Sequence, residues 1–469
     1  MPSVAELCTT TLTEAAALIK SKAVSPVELT QAMLDRIEAI DGTLHSYITV
    51  TADFALEQAR AAEQEILAGT YRGPLHGIPI AVKDLCFTKG IRTTCASKIL
   101  ADWVPDHNAT VMDKLYGAGA VLLGKLGMTE FALSGYHPSV EPPRNPWNPD
   151  RWPGASSSGS GAATAASLCF GSLGSDTGGS IRFPSAACGI VGIKQTYGRV
   201  SRYGVFPLGE TLDHVGPMTR SVADAAVMLR AIAGFDPNDP TTRRESVRDY
   251  MDLIDNGVKA LRIGVDEAYC TDGVETEVGQ AVLATVKVLQ DAGADIREVK
   301  VSGITDEVLD AWFTICAAEA AAAHADTYPA RADDYGPTFR SFLEEGVKVS
   351  GADYVAAHII RQGVCRMIDD LWQEVDLLLC PSMPSPPVPL SEFSPHAPLS
   401  RAAAGGLLRH TAPFDFSGSP TISVPCGFNA DGLPLSLQLV GRHGEEGTVI
   451  QAGQAYEQAT EWHTHRPPV

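Results

Sequence analysis

The chain has 469 residues, of which 45% are hydrophobic and 20% are charged, a composition typical of a globular protein. Its formal net charge of −20 argues against a nucleic-acid partner, because phosphates favour a basic surface. The N-terminal residues lack a signal-peptide pattern and no window approaches a membrane span, so we expect a cytoplasmic protein without a membrane partner.

The first 70 residues are predicted to form a helical lead-in. Ser25, Pro26 and Glu28 have the pattern of a capping box with proline at the first helical position, and apolar residues follow at helical spacing. A second helix is predicted over residues 52–67, where the pattern stops before Gly69.

From residue 77 onward, short apolar strands alternate with helices. Strands are predicted at residues 78–82 and 120–123, with a helix over residues 109–116 between them. This alternation predicts an α/β fold with a buried, mostly parallel sheet. Further strands are predicted at residues 187–193, 261–265, 375–380, 421–424 and 435–440.

The rest of the chain is predicted to complete the same sheet. A helical region rich in alanine covers residues 273–371, and proline-rich residues 381–389 are typical of an extended surface segment. We expect one domain, because the presumed site and the last strands have the pattern of one sheet. Its predicted parts are the lead-in 1–70, a core 71–235, a variable helical region 236–375 and a C-terminal part 376–469.

Residues 153–182 are the most informative stretch for function, because they are rich in both glycine and serine. Glycine allows positive φ and close backbone approach, and clustered backbone N–H groups stabilise an anion. Serine becomes a nucleophile once a base takes its proton. The stretch therefore indicates a hydrolytic site whose base lies elsewhere in the chain.

Several familiar cofactor and metal patterns are matched incompletely. Residues 119–125 have P-loop spacing, but Leu126 stands where serine or threonine would bind magnesium. Thr164 replaces the third glycine of a dinucleotide fingerprint, and residues 159–161 give a fragment of the G-x-S-x-G motif. The ten cysteines have no metal-ligand spacing and are predicted to be reduced and buried. We therefore expect no metal and no organic cofactor.

Two residues are candidates for the base. His214 follows Asp213, but adjacent residues on a strand point to opposite faces, so a structural role for this histidine is favoured. Lys83 follows a predicted buried strand, where loss of solvation lowers the pKa of a lysine and leaves a neutral base. The alternative for Lys83 is an ion pair with Asp84.

Together these segments resemble the amidase signature family. The resemblance rests on residues 77–84 (GIPIAVKD), the paired motif of residues 153–201, residues 212–226, and the C-terminal segments 417–428 and 432–441. It covers nearly the whole chain and is weakest around residues 240–375. The resemblance implies the family's fold, a large mixed, mostly parallel β-sheet covered by helices on both faces.

The resemblance also implies the catalytic residues. Ser180 is the implied nucleophile, Ser156 the proton relay that follows a cis peptide bond, and Lys83 the base. The oxyanion of the reaction is implied to bind to backbone N–H groups. The implied donors are those of Thr177, Gly178, Gly179 and Ser180.

The chain departs from the family pattern at two positions. Ala155 and Ser158 replace glycines, and neither change removes a member of the implied triad. Ser158 leaves the three serines at residues 156–158 as competitors for the relay, of which spacing favours Ser156. Ser157 and Ser158 are expected to cap the next helix or to orient the loop.

Charged residues around the presumed nucleophile are expected to be structural. Asp176 and Arg182 flank its loop and are predicted to pair. Arg199 and Ser201 match the family motif, but the sequence assigns them no role.

The family spans several activities among which the sequence leaves alternatives open. The first hypothesis is an amidase acting alone, as a monomer or homodimer, on a small-molecule amide with aryl-amide or carbamate (urethane) scope. The second is the A subunit of a glutamyl-tRNA amidotransferase, which works with partner subunits. Four aromatic residues are expected to belong to the core or, alternatively, to line a substrate pocket: Trp312, Phe313, Phe414 and Phe416.

Overall fold

The computed structural model describes residues 4–391 and 401–469. Its centre is one eleven-stranded β-sheet with the strand order β1-β3-β2-β4-β6-β5-β10-β11-β9-β7-β8. The strands are β1 (Tyr47–Val50), β2 (Pro79–Lys83), β3 (Val121–Leu126), β4 (Gly171–Asp176), β5 (Val191–Lys194), β6 (His214–Thr219), β7 (Arg262–Val265), β8 (Asp295–Glu298), β9 (Leu377–Pro381), β10 (Thr421–Phe428) and β11 (Pro434–Gly441).

Sixteen α-helices lie within the described ranges. They are α1 (Val4–Thr9), α2 (Leu12–Lys20), α3 (Pro26–Leu44), α4 (Ala52–Leu67), α5 (Thr110–Gly117), α6 (Ser158–Ala165), α7 (Arg182–Cys188), α8 (Val222–Ile232), α9 (Glu267–Thr271), α10 (Thr276–Asp291), α11 (Asp306–Ala323), α12 (Pro337–Gly346), α13 (Gly351–Leu371), α14 (Arg401–Leu408), α15 (Ala412–Phe416) and α16 (Glu446–Gln458). Every residue of β2, β3, β4, β6 and β11 is buried, so both faces of the sheet are covered.

The α/β fold with a mixed sheet is confirmed. Parallel pairing occurs in two blocks, β3-β2-β4 and β9-β7-β8. The other six neighbouring pairs are antiparallel, so antiparallel pairing occupies the middle of the sheet more extensively than predicted. The last hairpin shows the reason, because the five residues between β10 and β11 are too few for a parallel crossover.

Local signals at the N-terminus are confirmed. The Ser25 side chain accepts hydrogen bonds from the backbone N–H groups of Val27 and Glu28, both at 3.1 Å. The Glu28 carboxylate in turn accepts from the Ser25 N–H at 3.0 Å, which completes the capping box. The helix predicted over residues 52–67 is α4.

The strand predicted at residues 187–193 is wrong in its first half. Ala187 and Cys188 are the last residues of α7, and β5 begins at Val191. Gly189 ends the helix in the left-handed region, with φ of 67°. An apolar run of this length does not distinguish the end of a buried helix from a buried strand.

Three further observations concern the cysteines, membrane crossing and metal binding. Of the ten free cysteines, nine are buried and Cys365 is partly exposed. In the described ranges, no helix has the length and apolarity that a membrane crossing requires. Those ranges also hold no cluster of three or more histidine, cysteine, aspartate or glutamate side chains suited to a metal ion.

Candidate active site

Lys83 is the last residue of β2. It lies at the end of the sheet where the neighbouring strand β4 also ends. The two strands are parallel, with Val82 opposite Leu173, so their carboxyl ends meet. The fully buried Lys83 Nζ donates to Ser156 Oγ at 2.6 Å and to Ser175 Oγ at 2.8 Å. The sheet therefore brings the predicted base and the predicted relay into direct contact.

The environment of Lys83 favours a neutral amine. Burial lowers the pKa of Lys83 to about 7, and the nearby Cys86, Asp176 and Asp213 oppose that shift only in part. The predicted alternative, an ion pair with Asp84, is not formed by the amine, which instead contacts two hydroxyl groups. At pH 7 about half of the Lys83 amines are therefore neutral, which is the protonation state that a general base needs, and the neutral fraction rises with pH.

The neighbouring Asp84 belongs to a different set of contacts. Its carboxylate accepts from the Thr94 N–H at 2.9 Å and from Thr94 Oγ1 at 2.5 Å. It also lies 3.6 Å from Lys125 Nζ. Asp84 therefore pairs with the lysine of β3, not with Lys83.

Ser156 lies just before α6 and is buried. The Ala155–Ser156 peptide bond is cis. The Ser156 carbonyl accepts from the Thr129 N–H at 3.2 Å, and the Ser157 N–H donates to the Ser180 carbonyl at 3.3 Å. The second of these backbone bonds holds Ser157 against the segment that carries Ser180.

The three competing serines have distinct contacts. Of the three, Ser156 is the one that accepts from Lys83. Ser157 Oγ donates to the Ser175 carbonyl and accepts from the Ser175 N–H, both at 3.2 Å, and Ser158 Oγ accepts from Tyr136 at 2.8 Å. Ser157 occupies the N-cap position of α6 without a side-chain capping bond. Ser157 and Ser158 therefore orient the loop, and Ser157 does not cap the helix.

The nucleophile loop, residues 177–180, is shaped by a carboxylate beneath it. Asp176 accepts from the backbone N–H groups of Gly179 at 2.6 Å, Ile181 at 3.0 Å and Arg182 at 3.3 Å. Ser180 is partly exposed, whereas the three residues before it are buried. The Gly179 N–H, one of the implied oxyanion donors, is thus directed to Asp176.

Arg182 fixes Asp176 from the other side, and the predicted pair is confirmed at 2.8 Å. The same guanidinium contacts Asp415 at 2.6 Å and donates to Gln438 Oε1 at 3.1 Å and to the Thr411 carbonyl at 3.0 Å. Burial alone would raise the pKa of the Asp176 carboxyl, but Arg182 holds it well below its usual range. At neutral pH the loop therefore rests on an ionised carboxylate.

The first half of the loop is held by three side chains distant in sequence. Thr177 Oγ1 donates to Asp213 Oδ1 at 2.5 Å, and the Thr177 carbonyl accepts from Trp312 Nε1 at 2.9 Å. The Gly178 carbonyl accepts from Thr411 Oγ1 at 2.6 Å. Sequence reasoning missed Ser175, Asp213 and Thr411, although the position of Ser175 at the end of a strand beside Lys83 was a usable signal.

A cleft opens above the loop. Ser156 and Ser180 both line it, and none of the described lining residues is charged. Trp312 and Phe313 line the cleft, whereas Phe414 and Phe416 are buried core residues. The other lining residues are Ala132, Leu133, Ser134, Trp152, Ala155, Thr177, Gly178, Phe183, Leu208, Ala404, Leu407 and Leu408.

Comparisons with known proteins identify the family of this chain. Residues 28–450 match the sequence model of the Amidase family. The chain belongs to the amidase family. It is therefore an enzyme that hydrolyses carbon–nitrogen bonds other than peptide bonds.

Three similar proteins illustrate the range within this family. A putative amidase AmiD of Mycobacterium tuberculosis is 46% identical over 98% of this chain and 96% of its own. The A subunit of the glutamyl-tRNA(Gln) amidotransferase of Moorella thermoacetica is 41% identical, over 98% and 99%. A solved bacterial aryl acylamidase of the amidase signature family superposes with a TM-score of 0.88 at 26% identity, covering 97% and 98%.

His214 lies outside the cleft of this amidase family member. Its ring nitrogens lie 3.4 Å from Lys194 Nζ and 3.7 Å from Asp415 Oδ1. Burial, followed by the charge of Lys194, lowers the pKa of His214 well below its ordinary value. A buried neutral ring held between these partners fits the structural role expected from the sequence.

Proposed function

We propose that this chain acts alone as an amidase that hydrolyses an uncharged aryl or otherwise bulky apolar amide through an acyl-enzyme on Ser180. The observation that carries the proposal is the contact of the buried Lys83 with Ser156, beside a cleft that Ser180 lines. The proposed steps use side chains of this chain alone.

Acylation begins with a proton relay. Ser180 Oγ attacks the substrate carbonyl carbon while its proton passes to Ser156 Oγ, whose own proton passes to the neutral amine of Lys83. The pKa of about 7 supports this step, because an amine with an ordinary pKa would already be protonated. The lysine then returns a proton through Ser156 to the departing amine.

The tetrahedral intermediate carries an oxyanion that needs hydrogen-bond donors. The Gly179 N–H donates to Asp176, so we assign to Gly179 the shaping of the loop. The N–H groups of Thr177, Gly178 and Ser180 are the proposed donors. Collapse of the intermediate releases the amine, and water then attacks the ester with the same relay.

The lining of the cleft supports an uncharged substrate. Glutamine carries an ammonium and a carboxylate, and both would lose solvation without a charged partner among the described lining residues. Aromatic and aliphatic walls instead favour an apolar acyl or amine group. The similarity to an aryl acylamidase supports the aryl-amide scope, and a carbamate presents its carbonyl to the same nucleophile. The amidotransferase alternative rests on the 41% identity to the Moorella protein.

The test uses the purified chain without partners and a panel of anilides, primary amides, carbamates and ureas. We expect hydrolysis of an anilide, and a fall of at least about 10³-fold in kcat for Ser180→Ala with an unchanged fold. Activity that requires added subunits, glutamine and charged tRNA would establish the amidotransferase function instead. An undiminished rate in Ser180→Ala would refute the site.

A further inference from the structure

Trp312 connects the helical region to the nucleophile loop. It lies on α11, is 5% exposed, and its indole N–H donates to the Thr177 carbonyl at 2.9 Å across 135 residues of sequence. The ring lies directly on Gly178, where an added Cβ would be 2.5 Å from Trp312 Cζ2. The indole therefore contacts the peptide unit between these two loop residues through its N–H and through the ring atoms next to that N–H.

The geometry of a peptide gives this contact a consequence for Gly178. In a trans peptide the carbonyl and the following N–H point in opposite directions. Because the indole holds the Thr177 carbonyl toward α11, the Gly178 N–H is directed away from that helix. The next peptide follows the same rule, since Thr411 binds the Gly178 carbonyl and the Gly179 N–H points to Asp176.

We propose that Trp312 is a positioning residue that orients the Gly178 N–H toward the oxyanion. The inference rests on the proposed function, because it assumes attack by Ser180 beside that N–H. Loss of the indole donor frees the Thr177–Gly178 peptide to rotate, and the donor is then misaligned when negative charge develops. Removing an oxyanion donor outright costs about 10²–10³-fold in rate, so misalignment should cost about 10–100-fold in kcat.

Two substitutions separate the hydrogen bond from the volume of the ring. Trp312→Phe removes the N–H and part of the ring, and 3-benzothienylalanine at position 312 replaces the N–H by sulfur at nearly constant size. The matched control is Trp372→Phe, because the buried Trp372 Nε1 has no hydrogen-bond partner among the described residues. Each variant is assayed for kcat and KM on the best anilide, and for inhibition by phenylboronic acid, which forms a tetrahedral adduct on a nucleophilic serine.

We expect kcat to fall about 10–100-fold in both position-312 variants and the inhibition constant of phenylboronic acid to rise by a similar factor. KM should change less than kcat, and Trp372→Phe should match the wild type. If the benzothienyl variant keeps the wild-type kcat, or if only KM changes, the indole N–H does not position the loop. Trp312 would then only line the cleft. A rate retained in Ser180→Ala would overturn the proposed function itself. If Ser180→Ala is inactive but both position-312 variants keep the wild-type kcat, only this inference is overturned.

Discussion

Replacing Lys83 by methionine should abolish activity and yet stabilise the fold at neutral pH. Burial lowers the pKa of Lys83 from 10.5 to about 7, so the fold favours the neutral amine while the unfolded chain binds a proton. At pH 7 this difference costs the wild type about 4 kcal/mol of unfolding free energy. Methionine avoids that cost but loses two hydrogen bonds, each worth about 1 kcal/mol, which leaves a net gain of about 2 kcal/mol.

The sign of the pH dependence is the sharper part of this prediction. Between pH 7 and 10.5 the unfolded wild-type chain binds more protons than the folded one, so wild-type stability rises with pH relative to Lys83→Met. By about pH 9.5 the remaining cost is about 1.4 kcal/mol, and the gap between the two chains has changed by about 3 kcal/mol in favour of the wild type. All other titrating groups are shared and cancel in the comparison.

Reversible urea unfolding of both chains at about pH 7 and about pH 9.5 measures the gap. In the same preparations, wild-type kcat/KM should fall tenfold per pH unit below about pH 7, because a protonated lysine cannot accept the relay proton. A stability gap that stays constant, or that moves in favour of methionine as the pH rises, would refute the neutral-lysine reasoning. So would a Lys83→Met variant with wild-type activity.

Three further substitutions test the site and its supports. Ser156→Ala should lower kcat by about 10²–10⁴-fold, whereas Ser158→Ala, assayed on the same anilide, should stay within about threefold. Arg182→Met leaves two buried carboxylates without their cation and should cost about 3–5 kcal/mol in urea unfolding. Ser25→Ala removes a helix cap far from the cleft and should cost about 1 kcal/mol with kcat unchanged.

Each of these expectations has a clear contrary result. A Ser158→Ala variant as slow as Ser156→Ala would move the relay role to the third serine. An unfolding free energy unaffected by Arg182→Met would show that the two carboxyl groups do not depend on the guanidinium. Ser25→Thr retains a capping oxygen and is the control for Ser25→Ala, and equal losses in both would exclude the cap as the cause.

The sequence misses four of the eleven strands: β1 and β8 at the two edges of the sheet, and β4 and β6 inside it. β4, with the sequence GSLGSD, lies between β2 and β6 and is fully buried, but its composition is typical of a loop. β6 escapes prediction for a similar reason, since Pro217 interrupts it opposite Leu173. These strands form because neighbours on both sides cover them, which no local pattern encodes.

In the site, too, features set by the local sequence could be predicted, whereas contacts between distant residues could not. Lys83, Ser156 and Ser180 lie in recognisable segments, so their roles could be predicted from the sequence by resemblance. Two of the contacts that hold the nucleophile loop come from Trp312 and Thr411, each more than 130 residues away. Such pairings depend on how helices dock onto the sheet, and a single sequence does not specify that docking.

The reach of Arg182 across the molecule has a consequence for the synthesis of this enzyme. Its partner Asp415 follows it by 233 residues, and Thr411 lies just before that partner. A nascent chain that has emerged as far as Ser180 therefore carries the hydroxyl without the support that gives the loop its shape. Because Thr411 and Asp415 must be present to complete this support, we expect the hydrolase to acquire its reactivity late in folding.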